Sequence, residues 1–276
     1  MVHPANTYPV LTKSYKGWYP FKIGTTSFIY RDFYVPNVKL LGPYLDEIEL
    51  LIFESDQVEA LFSRTVVDKL LHLSRELKLS FNVHLPTDIS ISDHEPARQQ
   101  HAADTLLEII DRISVLSPST FSMHIPYNED SFDRDQINRW QDRVYGILTK
   151  MLQGGLAGSL ISVEMLNYPF EIVEEIVIDL NLSICMDLGH LMMYGYDIVE
   201  IFNRYSSQIS IIHLHGVDNN HDHLSLDRLP KRFVRPAFAI LQRFTGSVSL
   251  EIFSFQDLKS SLAYLEKCWG DIQKET

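Results

Sequence analysis

Eight short apolar segments alternate along the chain with longer segments whose apolar residues recur every three or four positions. The short segments have the length of β-strands, and the longer ones have the period of amphipathic helices. Buried parallel strands are typically near-continuous apolar runs, which is how we interpret these eight segments. They lie at 21–28, 48–55, 79–86, 120–126, 160–166, 182–188, 209–216 and 247–253.

Eight strand–helix units in 276 residues predict an α/β fold, a (β/α)8 TIM barrel, which typically takes about 250 residues. An open, doubly wound sheet is the alternative. Its first turn usually carries a glycine-rich phosphate-binding pattern, whereas the turn here reads GTTSF. No low-complexity segment or Pro/Gly-rich linker divides the chain, so we expect a single domain over residues 1–276.

Composition narrows the class of protein. The net charge of −12 argues against a general affinity for nucleic acid or anionic membranes. The two cysteines, Cys185 and Cys268, form no disulfide framework or CxxC pair, which favours a reducing, cytoplasmic setting. No secretory signal is visible, and no apolar run approaches the length of a membrane span.

Metal-capable side chains follow six successive strands. In a TIM barrel the carboxyl ends of the strands meet at one mouth, where active sites lie. A buried polar side chain without a partner costs several kcal/mol, and a shared metal centre is the simplest common partner. The residues at these strand ends are His84, His124, Glu164, Asp187, His213 and Glu251, and His190, His221 and His223 follow in adjacent turns.

The ligand types are nitrogen and carboxylate oxygen without thiolate, which suits Zn, Mn, Fe or Co. Nine candidate ligands exceed the four that one tetrahedral zinc ion uses. We therefore expect two or three divalent ions.

Several of these residues have a structural alternative. Asp187 and His190 form a D-x-x-H turn that is also typical of a helix cap beside a surface histidine. His221 and His223 lie in a polar segment that reads equally well as a loop. Alternation places His215 on the same side of its strand as His213, either as a ligand or as support for one.

Five polar residues are candidates for substrate binding: His215 and four residues that lie near the ends of the first two strands. Thr25, Thr26 and Ser27 follow the first strand, where their hydroxyls either contact substrate or stabilise the turn. Glu54 ends the second strand and either reaches the site or caps the next helix.

The candidate ligands, in this order, resemble those of the xylose isomerase-like TIM-barrel superfamily, specifically its endonuclease IV branch. The resemblance covers strands three to eight and implies three zinc ions. The first would bind His84, His124 and a bridging Glu164, the second Glu164, Asp187, His213 and Glu251, and the third His190, His221 and His223. His221 stands where that branch has aspartate, so Asp222 is an alternative ligand.

The isomerase and epimerase branch of the same superfamily offers another interpretation. The resemblance implies that this branch would use only Glu164, Asp187, His213 and Glu251, with one metal and two glutamates that move a proton. His84, His124 and His223 lie outside this set and favour a phosphodiesterase, in which adjacent ions act together. Glu164 and Glu251 are the expected catalytic residues.

Residues 19–55 are similar to the opening of the cobamide-remodelling phosphodiesterases. This resemblance implies a small-molecule substrate, an adenosylcobamide cleaved at the phosphodiester of its nucleotide loop. An abasic-site DNA endonuclease is less favoured, because the loops after His84 and His124 are near neutral and acidic, whereas DNA enzymes need cationic phosphate contacts. A single-metal sugar epimerase stays open as the other alternative.

Overall fold

Parallel strands close into a barrel in the computed structural model, which describes residues 8–218 and 221–275. The barrel strands are β1 (Lys22–Thr26), β2 (Glu47–Leu51), β3 (Ser80–His84), β4 (Phe121–Met123), β5 (Ile161–Glu164), β6 (Ser183–Asp187), β7 (Ile209–Leu214) and β10 (Ser247–Leu250). They pair in parallel in the order β1-β10-β7-β6-β5-β4-β3-β2. The predicted TIM barrel is confirmed.

Helices cover the outside of the barrel. They are α1 (Tyr34–Leu41), α2 (Val58–Leu61), α3 (Arg64–Leu77), α4 (Pro96–Ile113), α5 (Arg134–Leu152), α6 (Glu171–Asp179), α7 (Leu188–Met193), α8 (Ile198–Tyr205), α9 (Lys231–Leu241) and α10 (Phe255–Glu275). The longer helices have the expected period: α5 buries Trp140, Val144 and Ile147 on one face. In the described part of the chain, no helix combines the length and apolar character needed to cross a membrane.

The inside of the barrel is polar, which differs from the near-continuous apolar strands that the sequence suggested. Along β3, Asn82 and His84 alternate with Phe81 and Val83, and all four are buried. Hydrogen bonds cross the interior: the Asn82 amide donates to Glu47 at 3.0 Å. Because alternate residues face opposite sides of a strand, the apolar half faces the helices and the polar half faces the barrel axis.

A hairpin after β7 takes the place of the expected polar loop. It pairs β8 (Gly216–Asp218) with β9 (His221–Leu224) in antiparallel fashion. His223 has a φ of 50°, the left-handed conformation, which is uncommon for a residue other than glycine. This local backbone geometry decides which side chains of β9 turn toward the barrel mouth.

Candidate metal centre

Glu164 is the centre of the cluster at the barrel mouth. Its Oε2 atom lies 3.1 Å from Nε2 of His84 and 3.1 Å from Nε2 of His124. Two atoms that bind the same zinc ion at about 2.0–2.2 Å are roughly 3–3.6 Å apart. His84 and Glu164 end β3 and β5, and His124 directly follows β4. These three side chains therefore have the spacing of ligands to one ion.

A second group converges on His213. Its Nδ1 atom lies 3.1 Å from Oε2 of Glu251, 3.7 Å from Oε2 of Glu164 and 3.9 Å from Oδ2 of Asp187. All four residues are buried. Glu164 therefore adjoins both groups, in the position that a bridging carboxylate would take.

A third group forms around His190, and the side chain of Asp222 lies beside it. The resemblance suggested His221 here, with Asp222 as the alternative. His190 Nε2 lies 3.6 Å from Oδ2 of Asp222, which lies 3.9 Å from Nε2 of His223. His221 is exposed and lines a separate surface groove with Asp218 and Arg228. Because His223 adopts the left-handed conformation, two consecutive side chains of β9 approach His190.

Asp187 caps a helix, and its carboxylate also faces the ligand cluster. Its Oδ1 accepts a hydrogen bond from the backbone N–H of His190 at 2.7 Å and so caps α7. Its Oδ2 lies 3.2 Å from Nδ1 of His190 and faces the cluster. The cap fixes the carboxylate and also turns the His190 ring toward the mouth.

Unpaired buried atoms show that the cluster fits divalent cations. Asp187 Oδ2, His190 Nδ1, His213 Nδ1 and Glu251 Oε2 are buried and have no hydrogen-bond partner among the described residues. Leaving such an atom unpaired costs about 1–3 kcal/mol. Each belongs to a set of ligand-type atoms that lie within 4.8 Å of one another. Nitrogen and carboxylate donors at this spacing suit Zn, Mn, Fe or Co.

The electrostatics of the cluster favour added positive charge. Burial lowers the pKa of His84, but its hydrogen bond to Glu164 and the surrounding carboxylates outweigh burial and raise that pKa to about 9. The pKa of His190 is likewise about 9, since Asp187 and Glu164 outweigh burial. Burial raises the pKa of Glu164, but the charge of His124 and the close approach of His84 and His190 hold it well below its usual range. The carboxylates are thus ionised and stabilise cations.

His215 packs behind the cluster. Its Nδ1 accepts a hydrogen bond from the backbone N–H of His223 at 3.0 Å, and its Nε2 lies 3.3 Å from Oδ1 of Asp187. The ring lies directly against Gly189, where a Cβ atom would come within 2.0 Å of its Cε1 atom. His215 therefore joins α7 to the hairpin and orients Asp187. It also belongs to two groups of ligand-type residues, one with His190 and His223 and one with Asp187 and Glu251, and its buried Nε2 has no hydrogen-bond partner among the described residues. Its position fits both alternatives, ligand and support.

The hydroxyls at the end of β1 are engaged with the backbone: Thr25 and Thr26 are its last residues, and Ser27 follows it. Thr25 Oγ1 donates to the carbonyl of Leu250 at 2.7 Å, and Thr26 Oγ1 donates to that of Ile252 at 2.9 Å. Ser27 Oγ accepts from the backbone N–H of Leu51 at 3.2 Å. These contacts correspond to the stabilising alternative, in which the hydroxyls hold the turn.

Glu54 lies on the surface, away from the cavity. Its carboxylate accepts a hydrogen bond from the side chain of Gln57, one turn later. It makes no capping hydrogen bond with its side chain. Among the described contacts, Glu54 therefore neither lines the cavity nor caps the next helix.

Glu49 is a buried carboxylate that sequence reasoning missed. Its Oε1 lies 3.0 Å from Nε2 of His213, and its Oε2 accepts a hydrogen bond from Ser249 at 2.5 Å. The available signal was the alternation of Glu47 and Glu49 with apolar residues in β2. That pattern places both carboxylates on the axis side of the strand.

A cavity of about 300 Å³ opens above the cluster. It is lined by Leu51, Ile52, Phe53, His84, Thr87, His124, Glu164, His190, His223, Glu251 and Phe253. Among the described residues no lysine or arginine lines it, so metal ions would supply the positive charge for an anionic substrate.

Comparison with known proteins agrees with this fold. The chain belongs to the xylose isomerase-like TIM-barrel family, whose sequence profile matches residues 38–268. Members of this family typically bind divalent metals, in keeping with the ligand groups at the mouth. No curated protein matches the chain by sequence.

Solved structures share the fold at low identity. A D-tagatose 3-epimerase-like protein is 18% identical, with a TM-score of 0.77 over 92% of this chain and 99% of that chain. An L-ribulose 3-epimerase is 15% identical, with a TM-score of 0.70 over 92% and 96%. Endonuclease IV from Thermus thermophilus is 17% identical, with a TM-score of 0.67 over 89% and 99%. These likenesses show the fold.

Proposed function

We propose that this protein is a metal-dependent phosphodiester hydrolase with two or three divalent ions at the barrel mouth. The observation that carries the proposal is the pair of 3.1 Å distances from Glu164 Oε2 to His84 and His124. These histidines form a ligand group beside the one around His213. An enzyme that uses a single ion has no need of this additional group.

Adjacent divalent ions, when bound, lower the pKa of water and stabilise negative charge on both sides of a phosphodiester. The protein's own residues arrange the site for this chemistry. Glu164 adjoins both ligand groups and fixes their separation. Glu251 lines the cavity, and its buried Oε2 has no hydrogen-bond partner in the described structure. Burial raises the pKa of Glu251, but the charge of His213 holds it below the usual range. Glu251 is therefore ionised and placed to accept a proton from water.

An adenosylcobamide is the substrate that the similarity of residues 19–55 implies. This finer assignment depends on that resemblance alone, since none of the three similar solved structures is named for a cobamide. It is testable directly: incubation with adenosylcobamides should release cobinamide phosphate, measured by mass spectrometry.

Sugar epimerisation by a single ion is the second candidate, and two observations favour it. Similar solved structures include several sugar epimerases. In addition, Glu164 and Glu251 approach the same atom of His213 at 3.7 and 3.1 Å, as expected for two glutamates around one ion. DNA cleavage has less support, because no lysine or arginine among the described residues lines the cavity.

Metal content and product together distinguish these functions. We expect two to three ions per chain by elemental analysis, and hydrolysis of phosphodiesters that is abolished by chelators. One ion per chain together with turnover of a ketose would reverse the ranking.

Glu164→Gln supplies a test of the bridging carboxylate. The variant should lose bound metal and at least about a thousandfold in hydrolysis while staying folded. Glu108→Gln, on the exposed face of α4 beside Arg112, is the matched control and should retain both. Unimpaired turnover by Glu164→Gln would contradict the bridging role.

A further inference from the structure

Two phenylalanine side chains at the cavity are exposed although apolar residues of this size are usually covered. Phe53 is 45% exposed and Phe253 is 40% exposed. Both line the cavity above the metal ligands, and their ring centroids are 6.1 Å apart. Exposed apolar surface inside a functional cavity is typical of a site that a ligand covers.

The backbone beside these rings is fixed from β1. Thr26 donates to the carbonyl of Ile252, the residue before Phe253. Ser27 accepts from the backbone N–H of Leu51, two residues before Phe53. The ring of Phe28 packs against that of Phe53 at 4.7 Å. The two exposed rings thus stand on anchored strand ends, which limits the entropy lost when a ligand packs against them.

The other side of the cavity is the metal cluster. The ring of His223 meets that of Phe253 edge-on, with centroids 5.2 Å apart. A group that lies on Phe253 is therefore adjacent to the ligand group formed by His190, Asp222 and His223. With a volume of about 300 Å³, the cavity has room for a phosphate and an attached ring side by side.

The remaining lining offers few hydrogen bonds. Outside the metal ligands it consists of Leu51, Ile52, Phe53, Thr87 and Phe253. A polyhydroxylated sugar would leave most of its hydroxyls unpaired against this surface, at a cost for each. A planar aromatic ring would find two aromatic faces and edges, with which it packs favourably.

We infer that Phe53 and Phe253 form a subsite for a planar aromatic group of the substrate, placed next to the phosphodiester at the metal ligands. This inference rests on the proposed hydrolase function and specifies its substrate class. The preferred substrates are phosphodiesters that carry an aromatic or heteroaromatic ring close to the phosphate.

Binding of three phosphonates to the Mn²⁺-loaded protein tests the subsite by calorimetry. Methylphosphonate has only the anionic end, cyclohexylphosphonate adds an apolar ring, and phenylphosphonate adds a planar aromatic ring. We expect phenylphosphonate to bind about tenfold more tightly than methylphosphonate, with cyclohexylphosphonate between them, because ring stacking contributes an effect of this size.

Substitutions at the two rings should remove this preference alone. Phe53→Ala and Phe253→Ala should each bring phenylphosphonate close to methylphosphonate, with unchanged metal content and unchanged methylphosphonate affinity. Phe253→Tyr should retain the preference. Phe33→Ala is the matched control, since Phe33 is 76% exposed but does not line the cavity.

Two results would overturn the inference in different ways. Equal affinity for all three phosphonates, or an equal gain from cyclohexyl and phenyl, would exclude an aromatic subsite and leave the hydrolase proposal standing. No binding of any phosphonate by the metal-loaded protein would contradict the hydrolase proposal, and the subsite would fall with it.

Discussion

The Glu49 carboxylate lies 3.0 Å from Nε2 of His213, the nitrogen that faces away from the other ligands. If Nδ1 of His213 binds an ion, the proton of the neutral imidazole ring resides on Nε2. Glu49 Oε1 is the acceptor next to that proton. Glu49 Oε1 has no hydrogen-bond partner in the described structure, and Ser249 holds the other oxygen. A carboxylate in this position fixes the orientation of a metal-binding histidine and increases its basicity.

Replacing this carboxylate should weaken metal binding. Glu49→Gln keeps the shape but removes the charge, so we expect metal affinity to fall about 10–100-fold, measured by competition with a chromophoric chelator. Glu47→Gln is the control: it lies two residues earlier, is equally buried and bonds to Asn82 and Ser119 instead of a ligand. It should change the free energy of unfolding without changing metal affinity. An equal loss of affinity in both variants would contradict a specific role for Glu49.

The metal-free protein should lose stability above neutral pH. His84 and His190 have a pKa of about 9 in the fold, above the usual 6.5, so their contribution is complete below pH 6.5 and is lost as pH rises through 9. The loss is on the order of 1–3 kcal/mol per histidine. Thermal unfolding from pH 6 to 9.5 in chelator measures it.

At acid pH, the stability of the metal-free protein should instead increase as the pH rises. The pKa values of Glu164 and Asp187 are depressed, so their contribution is present above pH 4.5 and is lost as pH falls. Metal-free protein should therefore be most stable between about pH 4.5 and 6.5. Added metal should reverse the alkaline loss, because ions displace the imidazole protons. A flat melting profile in chelator would be inconsistent with these pKa shifts.

Asp222 and His221 should differ in their effect on the third ligand group. Asp222→Asn removes a carboxylate 3.6 Å from His190, and we expect it to lower the affinity of one ion about tenfold or more. His221→Asn changes an exposed side chain outside the cavity and should leave metal content unchanged. Elemental analysis after dialysis compares the two. The opposite result would restore His221 as the ligand.

Gly189 should tolerate no side chain. A Cβ atom there would come within 2.0 Å of the His215 ring, so we expect Gly189→Ala to destabilise the fold by about 1–3 kcal/mol through overpacking. It should also weaken metal binding, because His215 orients Asp187. Gly146→Ala is the control, since nothing lies within 4 Å of a Cβ atom there. Alanine inside α5 should stabilise by about 0.5–1 kcal/mol. Denaturant unfolding measures both, and a neutral Gly189→Ala would contradict close packing.

The sequence was sufficient for the fold because its signals were regular. Strand-like and helix-like segments alternate along the chain, and the right-handed parallel barrel follows from that alternation. His84, Glu164 and Asp187 end their strands and His124 follows β4 directly, so one rule about strand ends located them together.

The rule about strand ends could not locate residues whose position depends on local backbone geometry. Asp222 turns toward His190 because His223 adopts a left-handed conformation, and no pattern in the sequence indicates such a residue. Glu49 was missed for another reason: it lies inside the barrel, one layer below the mouth, where only the alternation of β2 points inward.

The polar side chains inside the barrel also fix the register between neighbouring strands. Glu49 is level with Asn82 on β3, and Ser249 is level with His213 on β7. Sliding one strand by a single residue would turn its charged side chains toward the helices, and a shift of two would separate donors from acceptors. The same bonds that satisfy buried groups thus hold in register the strands that end at candidate ligands such as His84 and Asp187.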